Sequence, residues 1–130
     1  MDDREFLRLF HDGSLPGDEF RHMGHLRLAW LVLSGHSRIE AESMIAREIQ
    51  PFAVAKGVSN RYRDTLTRFW VRLVGHVMQN APQAGSIDEL LARFPLLLDK
   101  SLPYRHWREE TFNSDKARSR WVEPDLVPLP

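Results

Sequence analysis

Apolar residues recur along this chain at intervals of three and four, and no segment sustains the strict alternation of a half-buried strand. Asp2 or Asp3 can cap a first helix with Phe6, Leu9 and Phe10 on one stripe, and Gly13, Pro16 and Gly17 break it. Asp18 is the expected N-cap of a second helix over residues 19–34, with Glu19 beside the positive end of its dipole and Gly35 as its stop. Ser37 and Glu40 have capping-box spacing ahead of Ile39, Met44, Ile45, Ile49, Phe52 and Ala53. Pro51 is expected to kink or split that third helix, and Gly57 to end it. Tyr62, Leu66, Phe69, Trp70, Leu73 and Val77 mark a strongly amphipathic fourth helix. Ser86 and Glu89 open a fifth, carrying Ile87, Leu90, Leu91 and Phe94 and closed by Pro95. A further helix is expected through "LPYRHWREE", and Ser114 can cap a short last one through "DKARSRW". Prolines at 124, 128 and 130 give residues 122–130 an extended bias, while Val122, Leu126, Val127 and Leu129 suggest that this tail lies on the body. The pattern predicts an all-α, single-domain bundle of five to seven helices spanning residues 1–130.

Composition narrows what such a bundle can do. With 130 residues, 42% of them hydrophobic, the chain is long enough for one buried core. Its 18 basic and 18 acidic residues cancel without forming like-charge blocks, so neither nucleic acid nor a membrane surface is an expected partner. The absence of cysteine excludes disulfides, thiolate metal sites and cysteine nucleophiles. "MDDREFLRLF" lacks the basic start and apolar core of a signal peptide, so a cytoplasmic location is expected. "LAWLVL" is far shorter than the roughly 18 to 20 apolar residues that span a bilayer.

Candidate chemistry centres on "FRHMGHLRLAW". At about 100° per residue, His22 and His25 share the core-facing stripe with Leu26, Ala29 and Leu33, where an imidazole needs a partner or a ligand. Ordinary packing of both rings is one reading. A second makes His22 or His25 a general base or acid, with Tyr62, Thr65 and Thr67 orienting a substrate. A third is a divalent metal, which needs another ligand such as His76, with His106, Asp64 and Glu109 behind it. Neither H-E-x-x-H nor E-x-x-H occurs, so metal is disfavoured and no cofactor is expected. Trp30, Trp70, Trp107 and Trp121 could wall a pocket or simply fill the core. No phosphate-cradling glycine loop or nucleophile motif is present. The charged run between Arg105 and Arg120 reads as a solvated face, with anion capture or a clamp on the tail as its functional alternatives.

"FRHMGHLRLAW", "YRDTLTRFWVRLV" and "REETFNSDKARSRWVEPDLVPLP" together resemble a family of small, uncharacterised bacterial proteins with an F-x-H-x-x-H-[LV]-R-x-A-W signature. The resemblance implies a discrete single-domain unit and no specific activity. Where that family has Y-H-E-T-L-T, this chain has Tyr62, Arg63, Asp64, Thr65, Leu66 and Thr67. A guanidinium at position 63 cannot ligate a cation, which turns the expectation toward an Arg-assisted anion or carboxylate site. The expected function is metal-free acid-base chemistry, of a lyase, cyclase or hydrolase kind, on a small molecule. His22, His25, Tyr62 and Arg63 are the expected catalytic groups, and Trp30, Thr65, Trp70 and His76 the expected substrate contacts. A non-catalytic helical binding or interaction protein, with a homodimer as one form of it, is the alternative.

Overall fold

A computed structural model describes residues 1–130, and it is all-helical, with seven α-helices joined by turns and 3-10 segments and no strand. The helices are α1 (Asp3–Asp12), α2 (His22–Leu33), α3 (Arg38–Ala55), α4 (Asp64–Gln79), α5 (Ile87–Arg93), α6 (Glu109–Phe112) and α7 (Asp115–Ser119). α4 lies at the centre, packed against α2, α3 and α7. No helix is long and apolar enough to cross a membrane.

Local chemistry sets most of the boundaries. The Asp2 carboxylate accepts the Glu5 amide at 2.8 Å to open α1, and Gly13, at φ +80°, closes it. Ser37 and Glu40 form the full capping box of α3. Gly57, at φ +69°, ends that helix with Gly57 N–H bonded to Val54 C=O and Val58 N–H to Ala53 C=O, a left-handed closure that suits glycine. The Ser86 and Ser114 hydroxyls accept amides of the first turns of α5 and α7.

Four expectations are corrected. Asp18 does not cap α2, because Gly17–Glu19 forms a 3-10 turn and the helix starts only at His22. The turn delivers Phe20 into the core against Phe10 and Phe52, with ring centroids 5.1 and 4.8 Å apart, and this burial outweighs the local cap. The splitting expected at Pro51 does not occur, since α3 carries it inside one helix from Arg38 to Ala55. The carbonyl it leaves unpaired belongs to exposed Arg47, one turn earlier on the solvent side, where water can satisfy it. Tyr62 precedes α4 instead of lying on it. "LPYRHWREE" is a 3-10 turn at Leu102–Arg105 followed, after a break, by α6. The break buries Trp107 completely and sends its indole N–H to Val122 C=O at 3.0 Å, while Arg108 N–H bonds the Asp125 carboxylate.

The apolar side chains form one connected core running from Phe6 and Phe10 through Leu26, Phe69 and Val74 to Trp107 and Phe112. A polar network crosses it between α3 and α4. Buried Glu42 receives two bonds from Arg72, both at 3.0 Å, and further bonds from Arg38 and Arg68. Arg68 also donates to buried Asp64, and the Arg72 guanidinium lies 3.8 Å from the Trp121 ring centroid. Each acid removed from water thus faces fixed guanidinium donors, the condition under which burying it is tolerable. Residues beyond α7 contain no helix and are tied down by polar contacts. The Thr65 hydroxyl donates to Arg120 C=O and accepts Val122 N–H, and Leu126 N–H bonds His106 C=O. Leu129 packs on the core, but Leu126 and Val127 are exposed, against the expectation of an apolar tail contact.

Candidate functional site

The start of α2 has to accommodate the turn that precedes it. A Cβ on Gly24 would stand 2.4 Å from the Glu19 carbonyl oxygen, so a residue without a side chain lets the Glu19–Phe20 backbone cross the helix here.

His22 Nε2 lies 2.7 Å from the Leu97 carbonyl oxygen, which can only accept, so that nitrogen carries the proton. Its ring meets Trp70 edge-on, with centroids 4.5 Å apart. His22 therefore fastens α2 to the 3-10 turn at Pro95–Leu98, and burial lowers its pKa. His25 stacks on Phe20 with ring centroids 4.3 Å apart. It has no hydrogen-bond partner in the chain, yet no fully buried side-chain nitrogen or oxygen lacks one. Its ring nitrogens must therefore reach open space, and that space is a cavity of about 470 Å³ between α2, α3 and α4. Burial, and then the neighbouring His22, pushes the His25 imidazole down to about 4, so it is neutral at neutral pH.

Phe20, Ile49, Phe52, Ala53 and Leu66 make the apolar surface of this cavity. Tyr62 and Thr67 add hydroxyls, and Arg21, Lys56, Arg61 and Arg63 add four cationic side chains. None of the four is paired with a carboxylate. Arg63 donates to Phe112 C=O at 2.7 Å and to Asn113 Oδ1 at 2.6 Å, with its guanidinium over the Phe112 ring. Tyr62 donates its hydroxyl to Asp64 Oδ1 at 2.5 Å. Burial and that bond push the hydroxyl's pKa up, so Tyr62 acts as a fixed donor and not as a base.

Three of the four residues expected to be catalytic thus share one cavity, namely His25, Tyr62 and Arg63, while His22 stands outside it. The expected substrate contacts fall elsewhere. Trp30 lines a separate groove with Met1, Asp3 and Phe6; Thr65 is buried under Arg120 and Val122; Trp70 is core; His76 is exposed. Thr67 does line the cavity. Sequence reasoning missed Arg21, Lys56 and Arg61, whose signal was their position next to helix ends that the bundle brings together. No three His, Asp or Glu side chains are grouped as metal ligands would be. His106, one of the backing ligands considered, bonds the Val127 carbonyl through Nδ1, and Asp64 is taken by Tyr62 and Arg68.

Comparison of the chain with protein-family models, with curated proteins and with solved structures finds no match.

Proposed function

We propose that the cavity between α2, α3 and α4 is a small-molecule site where His25 exchanges a proton in metal-free acid-base chemistry. The observation that carries this reading is the unpartnered His25 imidazole facing a cavity shared with Tyr62 and Arg63. The His25 ring can pass a proton to or from a bound substrate, while Tyr62 and Thr67 supply hydroxyl oxygens and Arg63 adds a positive charge to the same wall. The volume suits a small metabolite, since ligand sites run from about 300 to 1,000 Å³. The likeness to the F-x-H-x-x-H bacterial family belongs to this proposal and assigns it no reaction.

Binding without turnover is a second reading, favoured by the same depressed basicity: an imidazole at about 4 is a weak general base at neutral pH. One experiment addresses both. A metabolite library is screened by thermal shift against the wild type, Val58→Trp, which fills the cavity from its half-buried rim, and Ala53→Leu as a smaller intrusion. Ligands of this site stabilise the wild type and lose their effect in both variants. A hit is then followed for turnover in wild type and His25→Gln. Turnover that vanishes while affinity survives supports catalysis, and binding with no turnover in either protein supports the second reading. Hits that all ignore the cavity-filling variants contradict the site.

A further inference from the structure

We infer that the ligand of this cavity is an amphipathic organic anion and that it enters together with one proton, which His25 holds against it. This inference rests on the cavity being the ligand site, and two observations extend it to a ligand class. The first is the charge census of the walls. The turn before α2 contributes Arg21, the end of α3 contributes Lys56, and the connection to α4 contributes Arg61 and Arg63. No carboxylate lines the cavity or pairs with any of the four. The nearest acid through bonded contacts, Asp64, is already committed to Tyr62 and Arg68. A cationic rim over an apolar floor of Phe20, Ile49, Phe52, Ala53 and Leu66 fits a ligand with an anionic end and a hydrocarbon or aromatic body.

The second observation is the state of His25. Its ring is stacked on Phe20, unpartnered and open to the cavity, and the ionisable groups around it are the four cations, the Tyr62 hydroxyl and His22. Burial, and then the neighbouring His22, oppose a proton on the imidazole. An anion set against the ring reverses that balance, because it supplies the one opposite charge the site lacks. Binding and protonation are therefore linked, and each promotes the other to the same extent.

The test uses 8-anilinonaphthalene-1-sulfonate, whose sulfonate stays ionised across the range, and N-phenyl-1-naphthylamine, the same rings without the charge. Affinities of the intact protein are measured by fluorescence between about pH 5.5 and 8, the range in which an imidazole can titrate. Calorimetry in two buffers of different ionisation enthalpy counts protons. The expected result is that the sulfonate binds about tenfold or more tightly than the amine. It should tighten several-fold toward the acid end and take up protons from buffer. The double variant Lys56→Gln/Arg61→Gln, which leaves the Arg63 bonds to Phe112 and Asn113 intact, should narrow the preference. His25→Gln should keep the preference and lose the pH response. Equal affinity for the two probes, with both lost in Val58→Trp, overturns the anion class and leaves the pocket standing. A sulfonate preference with no pH response, or one unchanged in His25→Gln, overturns the linked proton. No binding of either probe that Val58→Trp or Ala53→Leu abolishes overturns the pocket itself.

Discussion

His25 gives the fold a pH response whose sign follows from its position. Its pKa falls from 6.5 in the unfolded chain to about 4 in the folded one, with burial the main cause. Between those values the unfolded chain binds the extra proton, so stability is full above about pH 6.5 and is lost as pH falls toward 4. His22, also lowered by burial, acts in the same direction. The shift at His25 corresponds to a loss on the order of 3 kcal/mol across the window, and partial exposure of the ring reduces it. Denaturant titrations at several pH values should show wild-type stability declining through this window, and His25→Gln should flatten the decline. A His25→Gln curve parallel to the wild type would place the titration elsewhere. The helical phase of "FRHMGHLRLAW" was enough to put both imidazoles on the inner stripe of α2. It could not separate them, because the partner that captures His22 is a carbonyl 75 residues away at Leu97. Tyr62 and Arg63 could likewise be singled out as candidates, but the bonds that restrict them, to Asp64 and to α6, depend on tertiary placement.

At the scale of elements, the site depends on how α2 begins. Capping spacing located the starts of α1, α3, α5 and α7, since each needs only a side chain two or three residues from the amide it accepts. The start of α2 obeys a longer-range demand: Phe20 must reach Phe10 and Phe52, and the backbone at Glu19 must cross Gly24. Gly24→Ala is therefore expected to destabilise the protein by about 1–3 kcal/mol despite the better helix propensity of alanine. Chemical denaturation measures this directly, and a neutral or stabilising Gly24→Ala would refute the crossing. The same change displaces Phe20, a cavity wall, so probe affinity should fall alongside stability. Glu42 shows another limit of local reading. It lies beside apolar positions on α3, and nothing in its own segment indicates that Arg68 and Arg72 will meet it from α4.

Across the whole molecule, two sets of long-range ties hold the helices around α4. One joins α3 to α4 through Glu42, Asp64 and their arginines, and continues through Arg72 to Trp121. The other runs from Thr65 and Trp107 to the backbone of Arg120 and Val122, so the segment after α7 is held by hydrogen bonds as well as by Trp121 and Leu129 packing on the core. The periodicity of the chain was sufficient for an all-α bundle. The cavity was not legible in it, because its walls come from the end of α3, the connection to α4 and the turn before α2, which meet only when α2, α3 and α4 pack. Whether this cavity receives a small molecule is tested most directly by a heteronuclear NMR titration of the isotope-labelled protein with 8-anilinonaphthalene-1-sulfonate. Saturable shifts are expected on Phe20, His25, Ala53, Tyr62, Arg63 and Thr67, absent in Val58→Trp; shifts centred on the Trp30 groove, or scattered over the surface without saturation, would rule the cavity out as the site.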